Sequence, residues 1–139
     1  MYELSIQKVS YSQFLHSLKM SKYFPTLTFY SEQEYLDRNT ILYLDSVIMA
    51  GFAITEEGEV LSVHNSSQTR HIGKNLVKLA VLFGGLFLDH FDIPKLNNIY
   101  LANGFVETER FSWDDQYAPN FWNYQEWGTP DVIVRQLVI

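Results

Sequence analysis

The sequence predicts a mixed α/β (α+β) domain, and three observations carry that reading. Three β-rich segments follow one another between residues 40 and 64 with turn signals between them. An amphipathic helix opens at Gly73, directly after the third segment and a polar loop, Ser66–His71. A strand, helix, strand, strand succession then fills the chain to Ile139. The expected order is β-α-α-β-β-β-α-β-α-β-β. It describes a mostly antiparallel sheet of six to seven strands with helices on both faces. The strand before Gly73 and the strand after Gly85 form a central parallel pair in that order, because a crossover helix joins parallel neighbours. Such a pair can splay apart and admit a ligand.

Each element has a local reason. Tyr2, Leu4 and Ile6 alternate with Glu3, Ser5 and Gln7, the two-residue period of a half-buried strand. Ser10 and Gln13 have the spacing of a capping box, and Tyr11, Phe14, Leu15 and Leu18 recur at helical intervals, giving a helix over about Ser12–Lys22. Pro25 breaks that pattern. Ser31 can cap a short helix through Leu36. Thr40–Asp45 and Val47–Thr55 read as strands, the second almost continuously apolar and so central. Glu56-Glu57-Gly58 turns the chain back into Glu59–His64, completing an antiparallel meander.

After the loop, Leu76, Leu79, Ala80 and Phe83 share one helix face, and Gly84-Gly85 ends it. A fifth strand runs from Leu86 to about Phe91. Asp92-Ile93-Pro94 opens a short helix, with Asp92 as its cap, and Gly104 stops it. Phe105–Trp113 is a strand, Asp114–Pro130 a long aromatic loop, and Asp131–Ile139 the last strand.

Bulk properties narrow the function. The 139 residues are 47% hydrophobic and 16% aromatic, which suits one domain with a buried core, residues 1–139, rather than a disordered chain. The absence of cysteine excludes disulfides, thiolate metal sites and an acyl-thioenzyme. His16, His71 and His90 share no metal-ligand spacing. No apolar run is long enough for a membrane helix, and the N-terminus lacks the basic and apolar regions of a signal peptide. The expected location is therefore the cytoplasm. A formal net charge of −6 argues against nucleic acid as the main partner. Against that background, Arg70, Lys74 and Lys78 gather three of ten Lys and Arg residues at the Gly73 helix start. A helix N-terminus leaves amides unpaired and carries partial positive charge, so this junction reads as an anion pocket.

Two stretches extend the reading to a family. Arg70-His71-Ile72-Gly73-Lys74-Asn75 resembles the Arg/Gln-x-x-Gly-x-Gly/Ala loop of the GCN5-related N-acetyltransferase (GNAT) superfamily, and Ile99-Tyr100-Leu101-Ala102-Asn103-Gly104-Phe105 resembles its Leu-Tyr-x-x-x-Gly-Phe. The element order is similar over nearly the whole chain. Asn75 and Ile93 depart from the family pattern, which carries Gly or Ala at the first and often Asn at the second. Leu88–Asp92, Arg110-Phe111, Tyr117-Ala118-Pro119, Trp122-Asn123-Tyr124 and Gly128–Ile133 resemble a small GNAT-like branch met in bacteriophage and mobile-element genomes.

The resemblance implies acetyl-CoA as cosubstrate. It implies that amides of Ile72, Gly73, Lys74 and Asn75 hold the pyrophosphate with charge from Arg70, His71 and Lys74, and that Val63 borders the pantetheine arm. It implies Tyr100 as the acid that reprotonates the departing thiolate, although Tyr100 also fits a core role at helical spacing. His64, at the end of the meander's last strand, is either a surface histidine or the base that deprotonates the acceptor amine. Trp113, Tyr117, Phe121, Trp122, Tyr124 and Trp127 make the 114–130 loop heavily aromatic. It is readable as a lid, as a surface for a homodimer or protein partner, or as a self-packed cover. Two functions follow. The first is an acetyl-CoA-dependent N-acetyltransferase acting on a primary amine of an unidentified small molecule or protein. The second is a GNAT-like interaction module, without catalysis, that binds a host factor.

Overall fold

The computed structural model describes residues 3–21, 30–67, 72–119 and 122–138. In chain order they form β1 (Gln7–Lys8), α1 (Tyr11–Lys19), α2 (Glu32–Asp37), β2 (Ile41–Asp45), β3 (Ala50–Ile54), β4 (Val60–Asn65), α3 (Ile72–Leu82), β5 (Phe87–Phe91), α4 (Pro94–Ala102), β6 (Phe105–Phe111), a 3-10 turn (Asp115–Tyr117), α5 (Tyr124–Trp127) and β7 (Val132–Leu137). The strands lie in two sheets, β1-β2-β3-β4 and β5-β7-β6, each antiparallel throughout. The single sheet read from the sequence is thus divided into four strands and three. β7, last in the chain, is inserted between β5 and β6.

The two sheets touch along β4 and β5 at one point, a parallel bridge between Glu59 and Phe87. The Gly58 carbonyl accepts hydrogen bonds there from the amides of Leu86 (2.7 Å) and Phe87 (3.3 Å). Gly58 itself has φ +96°, and a Cβ on it would sit 2.9 Å from the Leu86 side chain, so the junction requires glycine. Among the described residues no ladder joins β4 to β5 beyond the bridge.

Two cores flank the meander. Phe14 and Leu18 of α1 and Tyr35 of α2 pack on Leu42, Ala53 and Leu61. On the opposite face Ile72, Leu76, Val77 and Ala80 of α3 pack on Tyr43, Ala50, Phe52, Ile54 and Val60, with Tyr100 and Phe105 continuing the cluster. Alternation along each strand divides its residues between these faces. Phe14, Phe52 and Phe105 are wholly buried, each contributing roughly 2–3 kcal/mol of apolar burial.

Both predicted serine caps form: Ser10 and Ser31 each accept from the amide three residues on, with Gln13 and Glu34 closing the boxes. Helix α3 stops at Gly84 (φ +107°), where the Gly85 amide reaches the Ala80 carbonyl. Three local readings are corrected. Val47 to Met49 belong to a turn, because the buried Asp45 carboxylate accepts from the amides of Val47 (3.0 Å) and Ile48 (3.3 Å) and ends β2. Asp92 does not cap α4; Ile93 holds that position without a side-chain bond, and Asp92 accepts from Asn97 instead. The N-terminal strand is confined to Gln7 and Lys8, although Leu4 and Ile6 pack on the core.

Candidate functional site

Where β4 and β5 part, a cleft of about 1510 Å³ opens between the sheets. Its walls come from β4, the first turn of α3, β5, α4, and the strand end and loop beyond β6. Beside the cleft the β3–β4 register slips: Gly51 opposes His64 and Ala53 opposes Leu61, so Ser62 and Val63 face Phe52 together. Ser62 has φ +56°, and its hydroxyl is 2.7 Å from that of Tyr35. A bulge takes a residue out of the ladder and turns its peptide groups elsewhere. Here the bulged pair, Ser62 and Val63, lines the cleft.

Ile72, Gly73, Lys74 and Asn75 form the first turn of α3 and all border the cleft. The amides of that turn have no intrahelical acceptors, which gives the cleft one electropositive end. Lys74 and Asn75 are exposed. A Cβ on Gly73 would lie 2.8 Å from Ile99 Cδ1, so the glycine also lets α3 approach α4 closely. Arg70 and His71, the other two members of the expected anion pocket, lie outside the described residues.

Tyr100 sits on the inner face of α4, 6% exposed, with its ring 4.7 Å from that of His90 and edge-on to Phe105. It lines the cleft, and its hydroxyl has no hydrogen-bond partner among the described residues. Burial, reinforced by the Asp89 carboxylate, pushes the phenol well above its ordinary value, with the Arg135 cation opposing. The phenol therefore stays protonated. Behind it, Arg135 is 3% exposed; its Nε donates to His90 Nε2 (2.7 Å), and its other nitrogens donate to the Phe105 carbonyl and Asn97 Oδ1 (both 3.1 Å). His90 Nδ1 then donates to the Phe91 carbonyl (2.7 Å), which fixes a neutral tautomer. Burial lowers His90 to about 4.

His64 is not a surface residue. It is 4% exposed, its Nδ1 donates to the Ser62 carbonyl (2.9 Å), and its Nε2 accepts from Ser17 Oγ (2.8 Å). Phe14 meets the ring edge-on at 5.2 Å. Burial lowers its pKa to about 4. Both nitrogens are thus committed to tying α1 onto β4, a job that the strand-end position in the sequence did not reveal. The residue that sequence reasoning missed is Asp89. It is exposed on β5, lines the cleft, and makes no hydrogen bond or ion pair among the described residues.

The aromatic loop packs largely on itself and on β5. Phe91, Trp113 and Trp122 are mutual neighbours at 4.8–5.6 Å, Trp127 joins Trp122, and Trp122 Nε1 donates to the Gly128 carbonyl (2.9 Å). Trp113, Tyr117 and Trp127 also line the cleft, and Tyr117 is 77% exposed. Phe121 lies outside the described residues. Among the described residues no helix is long and apolar enough to cross a membrane.

No protein-family model and no curated protein sequence matches this chain. Solved structures do. A spermidine N-acetyltransferase from Vibrio cholerae is similar with TM-score 0.65 at 12% identity, over 97% of this chain and 95% of that one. A GNAT family acetyltransferase from Elizabethkingia anophelis with acetyl-CoA bound gives 0.64 at 17%, over 97% of each. A ribosomal-protein-alanine N-acetyltransferase from Brucella melitensis gives 0.58 at 15%, over 98% and 100%. At these identities the likeness shows the fold, which is that of GNAT acetyltransferases. It gives no support to the bacteriophage branch.

Proposed function

We propose that the protein is an acetyl-CoA-dependent N-acetyltransferase acting on a primary amine. One observation carries the reading. The gap between β4 and β5 joins an electropositive helix start to a buried tyrosine whose hydroxyl has no partner among the described residues. The residues present fit acetyl-CoA. The amides of Ile72 to Asn75 suit a pyrophosphate, with charge from Lys74; Arg70 and His71, which precede that turn in the sequence, would add to it as the sequence resemblance implies. The bulged backbone at Ser62 and Val63 offers peptide groups to the pantetheine arm and the acyl carbonyl. Bound there, acetyl-CoA supplies an activated acetyl group as a thioester.

The chain's own groups do the rest. The cleft walls hold the reacting atoms together. The acceptor attacks as the neutral amine, its ammonium proton lost to water in the cleft. As the N–C bond forms and the C–S bond breaks, Tyr100 Oη, kept protonated by burial, gives its proton to the leaving sulfur. The nitrogen's second proton restores the phenol, and the Arg135 cation offsets the charge borne meanwhile on the phenol oxygen. His64 positions β4 and takes no proton in this scheme.

A thermal-shift titration with acetyl-CoA tests the binding half: stabilisation of about 2.7 kcal/mol is expected at a hundredfold excess over Kd. No shift at millimolar acetyl-CoA would overturn the proposal and favour the interaction module. A thiol-release assay across an amine panel tests the transfer half.

A further inference from the structure

Strand β5 presents two chemistries on its two faces. Leu88 and His90 point into the core beneath α3 and α4, where the His90 ring lies tilted against that of Tyr100 at 4.7 Å. Asp89 and Phe91 point the other way, toward the side on which Tyr30 packs against Tyr35 of α2 (5.4 Å). Tyr30 lines the cleft as well, and its phenol is raised by burial and next by the Asp89 carboxylate. The carboxylate is thus felt by tyrosines on both faces, Tyr30 on one and Tyr100 on the other. It stands at the gap through which those faces communicate.

Among the described residues Asp89 has no counter-charge of its own. The charges among those residues that act on it are those of Glu59 and Arg38, and these form an ion pair with one another. Its carboxyl is raised above the ordinary range, burial being the larger cause and Glu59 the next. A carboxylate partly removed from water, with a phenol on one side and the Phe91–Trp113 wall on the other, gains most from a cation with an apolar stem.

We infer that Asp89 is the seat of the acceptor's ammonium group, and that the acceptor is a primary alkylamine without a nearby carboxylate, entering from the Tyr30 side of the gap. The inference rests on the acetyltransferase reading and adds the acceptor's charge and route. Asp89 binds the ammonium through charge-assisted hydrogen bonds, the apolar stem lies along Phe91 and Trp113, and the nitrogen faces the gap opposite Tyr100, where it attacks once one proton has passed to water in the cleft.

The test compares the wild-type chain with Asp89→Asn, which keeps shape and removes charge at an exposed position. Calorimetric titration of 1,4-diaminobutane measures binding directly, with acetyl-CoA and without it. Release of CoA thiol with n-butylamine, 1,4-diaminobutane and 4-aminobutyrate measures transfer. Wild type should bind and acetylate the two cationic amines and disfavour 4-aminobutyrate. Asp89→Asn should lose about 30-fold in diaminobutane affinity and in kcat/KM, and lose the discrimination, while acetyl-CoA stabilisation is unchanged. Equal diaminobutane affinity in the two proteins, or absence of binding to wild type, would overturn the inference even where acetyl-CoA binds. Absence of acetyl-CoA stabilisation in both proteins would overturn the acetyltransferase reading instead, and the diaminobutane titration would still decide Asp89.

Discussion

The β4 and β5 walls of the cleft carry similar residues and use them in opposite ways. On β4, His64 has both nitrogens occupied, by Ser17 and by the Ser62 carbonyl, and Ser62 is bonded to Tyr35. On the β5 side, the Asp89 carboxylate and the Tyr100 hydroxyl have no hydrogen-bond partner among the described residues, while His90 and Arg135 behind them are fully engaged. Buried polar groups are costly unless paired, so the paired ones hold the scaffold, whereas groups whose polar atoms open on the cleft stay available to a ligand. Position along a strand does not distinguish the two cases; hydrogen-bond partners do.

The largest effect expected from this contrast is on acid stability. His64 and His90 both have native pKa values near 4, against about 6.5 unfolded. Between those values the unfolded chain binds more protons, so stability is complete above pH 6.5 and falls as pH drops toward 4, by about 3 kcal/mol for each histidine. Thermal melts from pH 7 to pH 4 should show that decline, and His64→Gln should make it shallower. A flat profile would mean that neither ring is held neutral.

Next comes Arg135→Met. Removing the guanidinium strands the acceptors on His90, Asn97 and Phe105 and should cost about 3 kcal/mol in denaturant unfolding. A loss below 1 kcal/mol would show that water replaces those bonds. Tyr100→Phe removes only the unpartnered hydroxyl, so stability should hold while turnover falls by about 100-fold with acetyl-CoA binding unchanged. Unchanged turnover would return Tyr100 to a purely structural role. The smallest effect is expected at Ser17→Ala, which breaks one hydrogen bond to His64 and should cost about 1 kcal/mol without altering acetyl-CoA affinity.

Much of the scaffold was legible in the sequence because its signals are local. Ser10 and Ser31 cap as their spacing requires, the meander turns at Gly58, and Gly84 ends α3. What was hidden depends on partners far along the chain. Ser17 lies 47 residues from His64, Arg135 lies 45 from His90, and β7 reaches its place between β5 and β6 only after the chain has left both. The bulge at Ser62 shows in no composition or period, since its residue is not glycine. For the candidate site, the helix start and Tyr100, singled out from motif and resemblance, both line the cleft. Asp89 was overlooked because an aspartate in a strand carries no signal until the surrounding charges are seen to be paired elsewhere.

The claim on which the rest depends is that the parted strands receive acetyl-CoA. Amide chemical shifts followed during a titration with acetyl-CoA address it at residue level. Saturable shifts are expected at Ile72 to Asn75 and at Ser62 and Val63, with the β6–β7 ladder undisturbed. Unmoved amides at those six positions at millimolar acetyl-CoA would contradict it.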